Sequence, residues 1–229
     1  MICVLDTGLA NSMSVLCALE RVLDCKGLRP VLTPVLTNDP SDLVRASRII
    51  IPGVGTAAAL MSTIHKLEIQ DCLRSLTQPV LGICLGMQAF YDNSEEGDAS
   101  CLGIFSGKVT RIKKTQDLPI PHMGWNQVSQ IGSSQLLKNI PLDTYFYFVH
   151  SYRVPMGFET KAVTRYGEPI PAAIENSNWF GTQFHPERSG KYGEIVLRNF
   201  LEVSSISEQK SFLEFGQKRS NNLCKFTQL

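Results

Sequence analysis

One short segment constrains this chain more than any other: Gly82-Ile83-Cys84-Leu85-Gly86, which follows the apolar residues Pro79-Val80-Leu81. An apolar run that enters a glycine-flanked cysteine is typical of a strand, a sharp turn and a helix, with the nucleophile at the turn. Glycine is needed on both sides because the strand and helix backbones approach too closely for a side chain. At a helix start, unpaired N–H groups favour the thiolate. The segment therefore predicts an α/β fold with a nucleophilic Cys84.

A base for this nucleophile is predicted far downstream, in Phe184-His185-Pro186-Glu187. Pro186 disfavours helix at His185, and in an extended chain residues two apart project to the same side. His185 and Glu187 are therefore expected to lie side by side, with the carboxylate holding the imidazole. Together with Cys84 they would form a nucleophile, a base and an orienting group. A lone buried cysteine is usually a small apolar side chain, which is our interpretation of the other six cysteines.

Strand-like and helix-like patterns alternate along the first half of the chain. Apolar runs predict strands at Ile2–Leu5, Pro30–Leu36, Arg48–Ile51 and Val80–Ile83. Apolar residues at helical spacing predict helices over Ser12–Leu23 and from Leu60 through Cys72. This alternation predicts a parallel sheet, whose functional residues lie at the carboxyl ends of its strands.

The second half lacks long helices between its predicted strands. The strands are expected at Gly103–Arg111, Tyr145–Val149, Ala162–Tyr166, Ala172–Ile174 and Trp179–Phe184, before a closing helix over Gly193–Leu201. We therefore expect an α/β fold built on an open mixed, mostly parallel sheet flanked by helices, with an antiparallel portion in the second half.

Length and composition predict one domain over residues 1–203, followed by a polar extension over residues 204–229 to which we assign no function. The net charge of +1 argues against nucleic-acid binding, and no apolar run approaches the length of a membrane span. Seven scattered cysteines do not suggest a disulfide framework, which favours a reducing cytoplasm. No metal or other cofactor is expected.

The combination of motifs resembles a known enzyme family. The cysteine turn, the later His-x-Glu and Pro52-Gly53-Val54-Gly55 together resemble the class I, triad-type glutamine amidotransferases, which have a flavodoxin-like fold. Further segments are similar to the glutaminase subunit of imidazole glycerol phosphate synthase: residues 121–126 (PHMGWN), 147–152 (YFVHSY) and 183–190 (QFHPERSG). Many members have tyrosine where Thr7 stands. The resemblance covers about residues 1–203.

The resemblance implies an activity, a substrate and a partner. L-glutamine would be hydrolysed to glutamate and ammonia, and the ammonia would pass to a (β/α)8-barrel cyclase subunit in a heterodimer of histidine biosynthesis. The implied site residues fall into three groups: an oxyanion hole at Val54, Gly55 and Leu85; substrate contacts at Gly53, Gln88, Glu96, Ser151 and Tyr152; and a partner interface at Trp125, Asn126, Tyr147 and Arg188.

Three other functions remain open at this point. The chain could serve a different synthase of the same fold, as in surface-sugar or anthranilate formation. It could be a stand-alone γ-glutamyl hydrolase, which would be fully active without a partner. It could also be a non-catalytic regulatory subunit, although the complete set Cys84, His185 and Glu187 argues against that.

Overall fold

A nine-stranded sheet forms the framework of the computed structural model, which describes residues 1–8, 12–25, 27, 32–114 and 118–204. Its strands, in spatial order, are β2 (Pro34–Thr37), β1 (Ile2–Leu5), β3 (Arg48–Ile51), β4 (Val80–Ile83), β13 (Trp179–Thr182), β12 (Glu168–Asn176), β11 (Thr160–Tyr166), β8 (His122–Gln130) and β9 (Thr144–His150). The pairings from β2 to β13 are parallel and those from β13 to β9 are antiparallel. The predicted mixed sheet with an antiparallel portion in the second half is therefore confirmed, with as many antiparallel as parallel pairings in place of a mostly parallel sheet.

Helices cover both faces of the parallel part of the sheet. They are α1 (Ser12–Cys25), α2 (Pro40–Arg45), α3 (Ala57–Lys66), α4 (Gln70–Arg74), α5 (Leu85–Gln88) and α6 (Gly190–Glu202). In β1, Ile2 and Val4 join the core beneath α1 and α6, whereas Cys3 and Leu5 join the core on the opposite face. Because successive residues of a strand face opposite sides, a strand covered on both faces is apolar throughout.

A smaller sheet packs beside the large one. It contains β10 (Tyr152–Arg153), β7 (Phe105–Arg111), β5 (Tyr91–Ser94) and β6 (Ala99–Ser100), in that order. Only β7 of this sheet was predicted. The remaining strands are two to four residues long, too short for a periodic pattern to reveal them.

The helix predicted from Leu60 through Cys72 is wrong as a single element. It is interrupted between α3 and α4, where Glu68 has φ +56°, a left-handed backbone that no helix can continue through. The helix after the cysteine turn is also shorter than its sequence suggests, since α5 ends at Gln88.

Two further expectations meet the limits of the described residues. The extension predicted for residues 204–229 lies outside them apart from Ser204, as does the start of the strand predicted at Pro30–Leu36. Within the described ranges, every helix is too short or too polar to cross a membrane.

Candidate active site

The turn between β4 and α5 is built around two glycines that lie against other backbone segments. A Cβ added to Gly82 would lie 2.6 Å from the backbone nitrogen of Met87, and one added to Gly86 would overlap the carbonyl oxygen of Ile51. The absence of a side chain at Gly82 therefore lets helix α5 pack against the strand that precedes it. The absence of a side chain at Gly86 lets the elements around the turn pack against the neighbouring strand β3. The predicted close approach is confirmed, with strand β3 as an additional contact.

Cys84 occupies the turn itself in a conformation that is rare for a residue with a side chain. Its φ is +54° and its ψ is −110°. Strained backbone of this kind persists only where the surrounding structure enforces it, and it clusters at functional sites. The Cys84 amide donates to the carbonyl of Thr182 at 2.7 Å, which ties the nucleophile to the end of β13.

His185 and Glu187 are paired as predicted, although not through an extended chain. His185 is extended, but residues Pro186–Arg188 form a 3₁₀ turn, and this turn brings the carboxylate back to the ring. Nδ1 of His185 lies 2.8 Å from Oε1 of Glu187, and both side chains are buried. The expected contact is therefore present, whereas the period-two reason for it was wrong.

The electrostatics of His185 reflect three influences. Burial lowers its pKa, but the charge of and hydrogen bond to the Cys84 sulphur, followed by the hydrogen bond and charge of Glu187, outweigh burial and raise the pKa to about 10. Apart from that sulphur, the buried Nε2 has no hydrogen-bond partner within the described residues. Glu187 holds Nδ1, as the predicted role of an orienting group for a His185 base requires.

The edge of strand β9 holds the base in place. The His185 amide donates to the carbonyl of Tyr147 at 2.9 Å. The hydroxyl of Ser189 accepts from the Tyr147 amide at 3.1 Å and donates to the carbonyl of His185 at 2.7 Å. The turn that carries the base is thus hydrogen-bonded to the backbone of Tyr147.

A cavity of about 290 Å³ opens beside Cys84, at the lower end of the range for small-ligand sites. The predicted residues among its lining are Val54, Gly55, Cys84, Leu85, Gln88, Glu96, Ser151 and Tyr152. Sequence reasoning did not assign Pro121, Val149 and His150, which also line it. Gly53, His185 and Glu187 are not among the lining residues.

Gln88 and Glu96 present acceptor oxygens to this cavity. Both hydrogens of the Gln88 amide are used, one by the carbonyl of Tyr152 at 2.9 Å and one by Gln183 Oε1 at 3.0 Å, which leaves Oε1 of Gln88 to accept from a ligand. One oxygen of Glu96 accepts from the Ala57 amide at 2.9 Å. Burial raises the pKa of Glu96, against the smaller lowering effect of that amide. An ammonium group is the natural ligand for two such acceptors.

The two glycines of the Pro52–Gly55 turn do different things. Gly53 packs against the cysteine turn between β4 and α5, which we call the elbow, since a Cβ added to Gly53 would lie 2.6 Å from Cβ of Leu85. Gly55 has φ +102° and nothing within 4 Å of an added Cβ, so its glycine is required by the backbone conformation alone. Gly55 is therefore the residue of this turn at which any side chain would strain the backbone beside the cavity.

Two buried histidines form a directional hydrogen-bond chain behind the cavity. The carbonyl of Tyr152 only accepts, so Nδ1 of His150, 2.8 Å away, carries a hydrogen. Nε2 of His150 then accepts from Nδ1 of His122 at 3.0 Å, and Nε2 of His122 accepts from the Asn126 amide at 3.1 Å. Burial lowers the pKa of His122 to about 4 and that of His150 to about 3, which keeps both rings neutral, as this chain requires.

Three of the four predicted interface residues lie together on one face: Trp125 on β8, the half-buried Tyr147 on β9, and Arg188 on the 3₁₀ turn beside them. Trp125 is 56% exposed, its ring lies 6.1 Å from that of Tyr147, and the Arg188 guanidinium lies 5.8 Å from the Tyr147 ring centre. Val149 belongs to the same face by strand register and also lines the cavity. Asn126 differs, because its side chain points to His122 and to the carbonyl of Arg165.

Comparison with known proteins identifies the family. Residues 9–203 match the model of the family described as glutamine amidotransferase class-I. The chain is 47% identical over 203 residues to the imidazole glycerol phosphate synthase subunit HisH of Yersinia pseudotuberculosis, covering 87% of this chain and 98% of that one. The HisH of Haemophilus influenzae is 43% identical over 201 residues, covering 88% of this chain and 96% of that protein. The chain belongs to the class-I glutamine amidotransferases.

Solved structures of two other proteins share the fold. A putative GMP synthase protein from Thermoplasma acidophilum superposes with a TM-score of 0.64 at 20% identity, covering 94% of this chain and 96% of that one. The glutaminase domain of Trypanosoma brucei CTPS, solved with acivicin, superposes with a TM-score of 0.57 at 16% identity, covering 89% and 94%. At these identities the likeness concerns the fold alone.

Sequence reasoning missed the roles of Gln183 and Ser189 in this class-I amidotransferase site. Gln183 is fully buried, and its Nε2 lies 3.5 Å from Sγ of Cys84. Its spacing of two from His185 is the signal that could have found it, because alternate residues of an extended segment face the same side. No local signal marks Ser189 as a link to strand β9, where its partner, the Tyr147 amide, lies.

Proposed function

We propose that this chain is the glutaminase subunit of an imidazole glycerol phosphate synthase. It hydrolyses L-glutamine to glutamate and ammonia through Cys84, His185 and Glu187, and it supplies the ammonia to a cyclase partner in histidine biosynthesis. The observation that carries this proposal is the pairing of a strained, glycine-flanked Cys84 with the 2.8 Å His185–Glu187 contact beside a cavity. The relatives named HisH support this pathway over a surface-sugar paralogue.

The first half of the reaction is acyl transfer to sulphur. The Cys84 thiolate attacks the side-chain amide carbon of glutamine, and the carbonyl electrons move to oxygen. His185 gives a proton to the leaving nitrogen, the C–N bond breaks and ammonia departs, leaving a glutamyl thioester on Cys84. Oε1 of Gln88 and the carboxylate of Glu96 hold the substrate's ammonium end, so the side-chain amide is directed toward Sγ.

The second half is hydrolysis of the thioester. His185 takes a proton from water, which adds to the thioester carbonyl, and the C–S bond then breaks to release glutamate. Both tetrahedral intermediates carry negative charge on oxygen. The Leu85 amide, which follows the nucleophile, is one donor to this oxyanion, and a peptide of the turn at Val54 and Gly55 is the second.

The exposed face of Trp125, Tyr147 and Arg188 is the proposed contact with the cyclase, a (β/α)8-barrel subunit. Exposed aromatic side chains beside arginine are the composition typical of interface centres. The face continues into the cavity through Val149. Docking of the cyclase on this face would enclose the site and give ammonia a path that does not cross solvent. We place this complex in the cytoplasm.

The decisive experiment separates glutamine hydrolysis on this chain from the synthesis that uses its ammonia on the partner. Cys84→Ala should abolish glutamate release from glutamine, whereas synthesis from added ammonium salts by the assembled complex should persist, because the acceptor site lies on the partner. Glutamate release is measured by mass spectrometry, and Cys17→Ala, a change at an exposed cysteine of α1, is the matched control. Glutamine hydrolysis that survives in Cys84→Ala would contradict the mechanism.

A further inference from the structure

We infer that Gln183 is a further catalytic residue: its side-chain amide donates a hydrogen bond to Sγ of Cys84 and stabilises the sulphur as a thiolate. The inference deepens the proposed function and rests on it, since it takes Cys84 as the nucleophile. Nε2 of Gln183 is 3.5 Å from the sulphur, a hydrogen-bond distance for this larger atom, and Gln183 is inaccessible to solvent.

The orientation of the Gln183 amide is set by its neighbours. The carbonyl of Tyr152 can only accept, so the Gln88 nitrogen must face it. The same nitrogen donates its second hydrogen to Oε1 of Gln183 at 3.0 Å. With its oxygen engaged by Gln88, Gln183 must present its nitrogen to Cys84. Turning the Gln183 amide over would place two donors against each other and leave the sulphur facing an oxygen.

Besides the interaction with His185, the hydrogen bonds of the sulphur to Val149 and Gln183 favour opposite protonation states. The thiol donates weakly to the carbonyl of Val149 at 3.7 Å, and this contact loses its hydrogen when the thiol ionises. The contact from Gln183 strengthens at the same moment, because hydrogen bonds to charged acceptors are roughly twice as strong as neutral ones. The buried site gives that gain more weight than water would. Gln183 thus favours the reactive form without offering or taking a proton itself.

The same contact acts twice in the catalytic cycle. It stabilises the thiolate before attack on the amide carbon. In the thioester the sulphur is uncharged, and the hydrogen bond contributes less. When water has added and the C–S bond breaks, the bonding electrons return to sulphur, and Gln183 stabilises the departing thiolate. The residue is therefore expected to affect both formation and hydrolysis of the intermediate.

Two substitutions of Gln183 test the donor. Gln183→Glu keeps the shape and the acceptor for Gln88 but places an oxygen against the sulphur, whereas Gln183→Met removes the donor without adding charge. Thr182→Val is the matched control, because the buried Thr182 hydroxyl makes no hydrogen bond within the described residues. The titratable groups that face the sulphur or its cavity are His185, with Glu187 behind it, His150, Glu96 and Tyr152, and all are unchanged in these variants.

The readout is the rate of Cys84 alkylation by iodoacetamide as a function of pH, followed on the Cys84 peptide by mass spectrometry. Both Gln183 variants should shift the half-maximal rate upward by about one pH unit. Thr182→Val should leave the profile unchanged. Glutamate release, as kcat/KM near neutral pH, should fall about tenfold in the Gln183 variants.

A purely structural role predicts something different. Circular dichroism establishes whether each variant is folded. If Gln183→Glu does not fold, the alkylation profile of Gln183→Met alone tests the hydrogen bond to the sulphur. Alkylation profiles of the folded variants that superimpose on that of the unsubstituted chain would overturn the inference. Alkylation needs no glutamine, so a shifted profile in a chain that releases no glutamate even with saturating cyclase and its ligand would support the thiolate contact and contradict the proposed function.

Discussion

His185 is held between opposing influences, and this balance decides how the site responds to pH. Burial favours the neutral ring, but the Cys84 thiolate and the Glu187 carboxylate favour the imidazolium and raise the pKa of His185 to about 10. A base that is charged at rest is suited to deliver a proton to the leaving nitrogen as soon as the thiolate has attacked. Glu187 acts only through His185, so its loss should be milder than the loss of the ring itself.

The pH profile of Glu187→Gln tests this arrangement. The substitution removes a charge that raises the pKa of His185 and leaves a neutral amide oxygen as a weaker acceptor for Nδ1, so that pKa falls. The alkaline limb of kcat/KM for glutamate release should then move to lower pH, by about one unit. An alkaline limb that stays in place or moves upward would show that Glu187 does not stabilise the imidazolium.

The activity lost in His185→Ala is the reference against which the activity lost in Glu187→Gln is compared. His185→Ala should lose as much activity as Cys84→Ala, about 10⁴-fold or more, because the three residues act as a unit. Glu187→Gln should retain more. Combining His185→Ala with Cys84→Ala should cost little beyond either alone, and strictly additive losses would refute a shared triad.

At the scale of elements, the nucleophile depends on how closely β3, β4 and α5 approach one another. Gly86 lies against the backbone of β3, and Gly82 lies against the backbone of α5. Backbone atoms cannot rotate away as a side chain can, so a methyl group at either position must push whole elements apart. The strained conformation of Cys84 is maintained by these same three elements.

The elbow glycines therefore carry a stability prediction. Gly86→Ala should lower the free energy of unfolding by about 3 kcal/mol, as expected for an overpacked core. Gly132→Ala is the control, since the nearest atom to an added Cβ is Cδ of Lys161 at 3.9 Å. The free energy of unfolding of Gly132→Ala should differ by no more than about 0.5 kcal/mol from that of the unsubstituted chain. Urea denaturation measures both, and a Gly86→Ala chain as stable as the control would contradict the close approach.

At the scale of the whole molecule, the exposed aromatic face and the catalytic turn are physically continuous. Tyr147 presents its ring to that face while its backbone binds His185 and the hydroxyl of Ser189. An occupant of the face therefore rests on the strand that holds the base. We expect the isolated chain to be a poor glutaminase that its cyclase partner activates.

Steady-state glutamate release by the chain, alone and with saturating cyclase and its ligand, tests this expectation. Trp125→Ala and Arg188→Ala should reduce the stimulation, whereas Phe158→Ala, which changes a residue 79% exposed on another loop, should not. Equal rates of glutamate release with and without the partner would contradict the proposal that this chain is a coupled subunit.

The turn at Gly55 provides a second test of the activation of this chain by its cyclase partner. Its φ of +102° lets a peptide reorient toward the developing oxyanion, and a β-branched residue there restricts that motion. Gly55→Val should therefore reduce stimulated activity more than basal activity. Gly53, named with Gly55 in the sequence motif, is unsuitable for this test because it is packed against the elbow.

The sequence by itself identified Cys84 as the candidate nucleophile and His185 with Glu187 as its candidate base, and it determined the alternation of parallel strands with helices. These depend on local requirements: glycines two residues from Cys84, a proline after His185, and apolar runs separated by helical spacing. Such features act within a few residues, so they can be read without knowing the fold. Knowledge of related enzymes extended this to the substrate, the partner and the lining of the cavity.

Only the tertiary structure decided which distant side chains meet. Gln183 reaches Cys84 across 99 positions because β13 pairs with β4, and His122 meets His150 because β8 pairs with β9 in one particular register. The 3₁₀ turn that returns Glu187 to His185 is held by β9 through Ser189. Contacts of this kind follow from the order and register of strands, which burial of the whole core selects and no local pattern encodes.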